Sequence, residues 1–258
     1  MEQNQPASLF SEYLSIIRRL RKECPWDREQ TQESLRSPLL EEAYETVEAI
    51  TDRNPEHIRN ELGDLMLHIA LQAIIAEEEN SFTISDVLSH SKEKLIRRHP
   101  HVFGNKNVEE TADVTRNWEL IKRQEGKKSL SDGIPKELPA LIRAQRIQGR
   151  ASALGFDWNN RLDVWKKVIE EMEELSRAEV SGNAEHVEQE FGDLVFALVN
   201  YSRFIGVDAE SSLRKSTEKF GMRFQYIEEQ LRKRGKNPTQ SSLEEMDLLW
   251  NEAKQVLG

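Results

Sequence analysis

Five acidic residues recur with fixed spacing at two places in this chain of 258 residues. Glu41, Glu42, Glu45, Glu61 and Asp64 form the first set, and Glu170, Glu171, Glu174, Glu190 and Asp193 form the second, each displaced by 129 positions. On a helix, residues three or four apart share a face. Glu42 with Glu45, and Glu61 with Asp64, can therefore project from two neighbouring helices into one space; Glu171, Glu174, Glu190 and Asp193 can do the same. Carboxylates at that density repel unless a cation or a proton compensates. Oxygen ligands with no cysteine and no obligatory histidine favour magnesium or manganese over zinc, and a hard divalent cation serves phosphate chemistry.

Plain solvation is the alternative for any glutamate-rich face. In the first copy, positions 61, 64, 68 and 72 form a polar stripe that could simply face water. The second copy is different, because Asp193 stands in Phe191-Gly192-Asp193-Leu194-Val195-Phe196-Ala197-Leu198-Val199. A helix apolar nearly all round predicts an Asp193 that is at least partly buried, where an unpartnered carboxylate is costly. Di-iron bundles also use inward glutamates, but pair them with Glu-x-x-His. Here Asp64 and Asp193 take the place of that histidine, and His68 has Ala197 as its counterpart, so redox iron is disfavoured. His57 and His186 match between the copies but precede the second helix, which reads as a helix-start feature.

The elements that position these carboxylates form a duplicated unit. Residues 38–65 align without gaps on 167–194, with identities that include Ala49/Ala178, Asn54/Asn183, His57/His186, Gly63/Gly192 and Leu65/Leu194 besides the acids, 11 of 28 positions in all. The period is too long for a solenoid and indicates a repeated domain. Apolar spacing predicts helices over 8–23, 38–51, 56–79, 84–98, 111–125, 139–153, 161–180, 184–204, 208–234 and 241–256. Sustained period-two alternation is missing, so the fold is expected to be all-α, with two tandem helical bundles over 1–125 and 140–258 and a linker over 126–139 that holds Gly126, Gly133, Pro135 and Pro139.

Composition agrees. Charged residues make up 32% and apolar residues 37%, a mixture that suits helices with solvated faces. A net charge of −10 argues against binding to a nucleic-acid polymer but leaves room for a nucleotide. Cys24 is the single cysteine, which excludes an intramolecular disulfide. With no apolar run of spanning length and a polar start, the expected setting is the cytoplasm, away from membranes.

The ordered motifs carry a resemblance. The two E-E-x-x-E…E-x-G-D blocks, together with Cys24-Pro25-Trp26-Asp27, Arg97-Arg98-His99-Pro100-His101-Val102-Phe103, Asp132-Gly133-Ile134-Pro135 and Gly155-Phe156-Asp157-Trp158, resemble the MazG family of nucleoside triphosphate pyrophosphohydrolases in its long, two-domain form. The resemblance implies an all-α homodimer that hydrolyses nucleoside triphosphates to monophosphate and pyrophosphate with magnesium. It implies metal binding by Glu171, Glu174, Glu190 and Asp193. It also implies phosphate contacts from Lys219 and Arg223, a place beside the nucleotide for Trp250, and Lys167 on the nucleotide side of the acidic block. Members commonly carry two arginines in the basic segment; here Met222 precedes Arg223. The second copy is the expected catalytic one, with Glu42, Glu45, Glu61 and Asp64 as metal candidates in the first.

Chemically, a carboxylate-held magnesium would bind phosphate oxygens and help activate a water, whose attack at the α-phosphorus expels pyrophosphate. Glu170 or Glu174 is the expected general base. Two other readings compete with the enzyme. One is a nucleotide-sensing or partner-binding helical dimer that holds metal without turnover, and the other is a purely structural helical protein. In the latter, Lys219 and Arg223 would be an ordinary solvated i,i+4 pair and Trp250 a core anchor.

Overall fold

Each copy of the repeat folds as a helical hairpin, and both hairpins turn on the same chemistry. A residue in the left-handed region is followed by an asparagine cap. Arg53 has φ 53° in the first copy, and Gly182 has φ 72° in the second. Asn54 Oδ1 then accepts from the backbone N–H groups of Glu56 and His57. Asn183 Oδ1 accepts in the same way from Glu185 and His186. Two of the orphan donors at each helix start are thereby satisfied.

The computed structural model describes residues 5–105, 111–126 and 129–257. Among these residues there is no strand. The helices are α1 (Gln5–Glu23), α2 (Pro25–Glu29), α3 (Arg36–Thr51), α4 (Pro55–Glu78), α5 (Ile84–Arg98), α6 (Pro100–Phe103), α7 (Thr111–Gln124), α8 (Ala140–Ala153), α9 (Arg161–Ser181), α10 (Ala184–Phe204), α11 (Ala209–Lys233) and α12 (Leu243–Leu257), with a 3-10 turn at Pro238–Gln240. The sequence-predicted helices are all present, with ends shifted by a few residues. Two short helices, α2 and α6, lie outside the helical ranges that the apolar spacing predicts. Among the described residues no helix is long and apolar enough to cross a membrane.

The chain divides into two compact units, Met1–Asn107 and Val108–Gly258. In the first unit, α1 lies on the α3–α4 hairpin. Leu14 and Ile17 of α1 meet Leu35 and the Leu71, Ile74 and Ile75 face of α4 in the core. In the second unit, α8 packs on α10, α7 packs on α8, and α11 pairs with α12 around Ile227, Leu231 and Leu249. The division places α7 with the second unit, whereas the sequence reading groups it with the first half. The physical link is Glu119 of α7, which lies 3.8 Å from Arg150 of α8.

Equivalent arginines strap a neighbouring loop in each unit. Arg21 Nη1 donates to the carbonyls of Asp27 and Gln30. Arg150, 129 positions later, donates from Nη1 to the carbonyls of Leu130 at 2.6 Å and Asp132 at 2.8 Å. The part of the linker that carries Asp132-Gly133-Ile134-Pro135 is therefore fixed onto α8, with Ile134 buried.

The two turns differ in cost. A left-handed conformation is free for glycine and unfavourable for other L-residues by about 1–2 kcal/mol. Gly182→Ala is expected to lower the stability of the second unit by about 1 kcal/mol. Arg53→Gly is expected to raise that of the first by less, because glycine also loosens the unfolded chain. Urea unfolding of the two variants beside the parent checks both signs.

Candidate active site

Carboxylates of α9 and α10 converge as the spacing requires. Glu171, one turn before Glu174 on α9, and Glu190 on α10 offer oxygens that all lie within 4.8 Å of one another. Glu171 is buried, at 6% exposure, and its charge is met by Lys167, whose Nζ lies 2.6 Å from Glu171 Oε1. The same ammonium donates to Glu170 Oε1 at 2.8 Å. These hydrogen bonds to Glu170 and then Glu171 hold the Lys167 ammonium well above its ordinary lysine range, against the opposing effect of burial. Glu190 Oε1 lies 3.0 Å from His186 Nε2, and Glu174 lies 3.4 Å from Arg177.

His186 is thus more than a helix-start residue. Its backbone N–H serves the cap while its ring meets the carboxylate one turn on. The i,i+4 spacing from Glu190 carried that signal.

Asp193 departs from expectation. It is exposed, and it stands outside the group of three carboxylates. The apolar character of its helix does not bury it, because Phe196, three residues on and on the same face, is itself exposed. Asp193 and Glu171 nevertheless share the wall of a cavity of about 580 Å³. Lys167 also lines it, as do Phe156, Asp157 and Trp158 of the loop between α8 and α9. Asp157 accepts from Arg203 Nη2 at 2.8 Å. Its carboxyl is held below the usual range: burial raises it, but hydrogen bonds from Ser152, Arg203 and the Trp158 backbone outweigh that effect.

The first copy repeats the geometry with different compensation. Glu42, Glu45 and Glu61 bring their oxygens within 4.8 Å of one another, while Asp64 is exposed. Pro38 stands where the second copy has Lys167. Burial raises the Glu42 carboxyl, followed by Asp64, Glu45, Glu61 and Glu41. Burial, then Glu61 and Glu41, raise Glu45. His68 is buried with Nε2 3.9 Å from Glu42 Oε1. Burial holds its imidazole low, opposed by Asp64. The stripe at 61, 64, 68 and 72 therefore does not simply face water.

The basic residues of α11 lie elsewhere. Lys219 is exposed, and the Arg223 guanidinium sits 5.6 Å from the Trp250 ring centroid. Trp250 is half-buried against the α11–α12 core and 5.2 Å from the Phe220 ring. Lys219, Arg223 and Trp250 do not line the cavity beside Glu171.

Comparison with known proteins follows the same two blocks. The profile of the MazG nucleotide pyrophosphohydrolase domain matches residues 30–103 and again 160–227. The chain is 46% identical over 251 residues to the nucleoside triphosphate pyrophosphohydrolase/pyrophosphatase MazG of Thermotoga maritima, covering 95% of this chain and 96% of that protein. It is 41% identical over 252 residues to the nucleoside triphosphate pyrophosphohydrolase of Escherichia coli K12, covering 94% and 95% respectively. An uncharacterised protein, YabN of Bacillus subtilis, is 46% identical over 253 residues, and there the chain spans 52% of the relative's length. Two helical hairpins with superposable acidic spacing, each coinciding with a match to that domain, place this chain in the MazG nucleotide pyrophosphohydrolase family.

Proposed function

We propose that this chain is a magnesium-dependent nucleoside triphosphate pyrophosphohydrolase that cleaves at the α-phosphorus, releasing nucleoside monophosphate and pyrophosphate. The observation that carries the reading is the convergence of Glu171, Glu174 and Glu190, with Glu171 in the wall of a cavity that Lys167 and Asp193 also line. The relatives' names, nucleoside triphosphate pyrophosphohydrolase, support the substrate class and the hydrolysis.

The donor set fits a hard cation. It consists of carboxylate oxygens, and their mutual repulsion is relieved by positive charge. Glu171, Glu174, Glu190 and Asp193 would hold magnesium, or manganese in its place. When bound, the ion neutralises phosphate charge and lowers the pKa of a coordinated water.

The side chains of the chain supply the rest. Lys167 carries a positive charge in the wall of the cavity, suited to a phosphate oxygen once its carboxylate partners are engaged. Glu170, more exposed than Glu171 and hydrogen-bonded to Lys167, is free of the three-carboxylate group and suits general-base work; Glu174 is the alternative. Lys219, Arg223 and Trp250 fit the outer part of a nucleotide site only if α11 and α12 meet the carboxylates in the assembled enzyme.

Assembly is part of the reading. Leu62 and Ile69 on α4 are exposed, as are the equivalents Phe191 and Leu198 on α10. An apolar face kept at equivalent positions in both copies supports a homodimer, since patches of this kind mark association surfaces. Phe191→Lys together with Leu62→Lys is expected to convert the protein to monomer in sedimentation velocity; a parent that already sediments as monomer removes the proposal.

Glu171→Gln is expected to reduce pyrophosphate release on the order of 100-fold or more, while Glu42→Gln retains most of it. Equal losses would overturn the assignment of the second copy as the working one. Metal-free stability gives a separate readout. The Glu42 carboxyl is raised in the fold, so its folded state holds a proton more tightly than the unfolded chain. Its contribution is therefore favourable at acid pH and is lost as pH rises through the raised value. Glu42→Gln is expected to stabilise the metal-free protein at pH 7 relative to the parent, with the gap closing as pH falls toward 4, read by thermal unfolding in chelator.

A further inference from the structure

Lys167 stands between two demands. On α9 it precedes Glu170 by three residues and Glu171 by four, so the three side chains share a face. Its ammonium lies 2.6 Å from Glu171 Oε1 and donates to Glu170 Oε1 at 2.8 Å. Glu171 is buried, and it supplies one of the three converging oxygens. A divalent cation held at about 2.1 Å from a Glu171 oxygen would share that carboxylate with the ammonium. Two positive charges on one shielded carboxylate repel.

Lys167 is also a part of the cavity wall that has room to move. Its polar neighbours on that wall are tied together. Gln148 Nε2 donates to the Phe196 carbonyl at 2.8 Å, and Arg203 donates to Asn200 Oδ1 at 2.5 Å and to Asp157 Oδ2 at 2.8 Å. The Lys167 side chain, by contrast, is 35% exposed and reaches its carboxylates on a flexible four-carbon stem. It can swing from Glu170 and Glu171 to an anion in the cavity without a change in the backbone. Pro38 takes the equivalent position in the first copy, where Glu42, the counterpart of Glu171, faces His68 Nε2 at 3.9 Å instead.

We infer that Lys167 makes cation binding at the second copy conditional on a nucleotide: its ammonium competes with a divalent cation for Glu171, and a triphosphate oxygen ends the competition by drawing the ammonium away. The inference rests on the hydrolase reading above and gives Lys167 a task besides meeting phosphate. A cation alone is disfavoured, because it must share or displace the ammonium. A cation with a triphosphate is favoured beyond what direct metal–phosphate contact supplies, because Glu171 then serves the cation and the ammonium serves the anion. Such coupling is reciprocal, so the cation strengthens nucleotide binding by the same factor. Proline at position 38 removes this link from the first copy.

The test measures Mn2+ binding through the electron paramagnetic resonance signal of the free ion. The full-length protein carries Glu42→Gln and Glu61→Gln, so that the second copy is read alone. The nucleotide is α,β-methylene ATP, which resists cleavage at the α-phosphorus. Without nucleotide, Lys167→Met is expected to bind Mn2+ about tenfold or more tighter than the protein that keeps Lys167. The nucleotide is expected to tighten Mn2+ binding by a factor about tenfold or more larger when Lys167 is present than in Lys167→Met, with Lys167→Arg following the lysine protein. A lysine that only contacts phosphate leaves the nucleotide-free Mn2+ affinity unchanged, and one that only shapes the helix face weakens it on removal. Either result overturns the inference and leaves the hydrolase reading standing. If Lys167→Met does not fold, acylation of Lys167 in the parent, read by mass spectrometry, decides instead. Mn2+ alone is expected to raise its labelling, and unchanged labelling at saturating Mn2+ overturns the inference. A parent that binds no Mn2+, with or without the nucleotide, sinks the magnesium-dependent hydrolase reading and this inference with it.

Discussion

Three carboxylates within 4.8 Å of one another is the condition that the rest of the molecule serves. Like charges at that separation are strongly unfavourable away from bulk water. Only a stiff pair of helices can enforce it, and the asparagine caps at Asn54 and Asn183 set the pairing of each hairpin. The copies meet the repulsion differently. In the second, Lys167 and His186 supply positive or polar partners to Glu171 and Glu190. In the first, proline replaces the lysine, and the raised Glu42 and Glu45 carboxyls carry the strain. One geometry thus has two electrostatic solutions, and a lone pair of substituted positions, Pro38/Lys167 and His68/Ala197, accounts for much of the difference.

The helices were legible because their apolar spacing, capping asparagines and breaking prolines all pointed the same way. Carboxylate convergence was legible for a simple reason: three- and four-residue spacing on a helix is geometry. The cavity was not. Its wall draws Leu130 from the linker, Gln148 from α8, Trp158 from a loop, Lys167 from α9 and Asn200 from α10, residues that no local pattern joins. Asp193 went wrong because an apolar sequence was equated with a covered surface, whereas Phe191, Phe196 and Leu198 of α10 stay largely exposed. Gln148 gave no signal at all: a glutamine in a helix reads as a surface residue until its amide is seen facing a backbone carbonyl.

The same caution applies to amphipathic patterns in both hairpins. On α4, His68 is buried while Leu62, Met66 and Ile69 are exposed. A hydrophobic stripe identifies a face that needs cover, but it does not say which molecule provides that cover. Here one polar residue, His68, turns inward beside Glu42, while the apolar residues of the same helix divide between the core and an exposed face.

Arg150 has a practical consequence for taking the duplicated chain apart. Its guanidinium clasps two carbonyls that lie well before α8 and also faces Glu119 of α7. A fragment begun at residue 140, where repeat arithmetic alone would cut, would strip away the clasped segment and its acidic neighbour, leaving an arginine side chain stranded on a shielded surface and one wall of the cavity missing Leu130. Dissection that respects the molecule's own seam begins near residue 108.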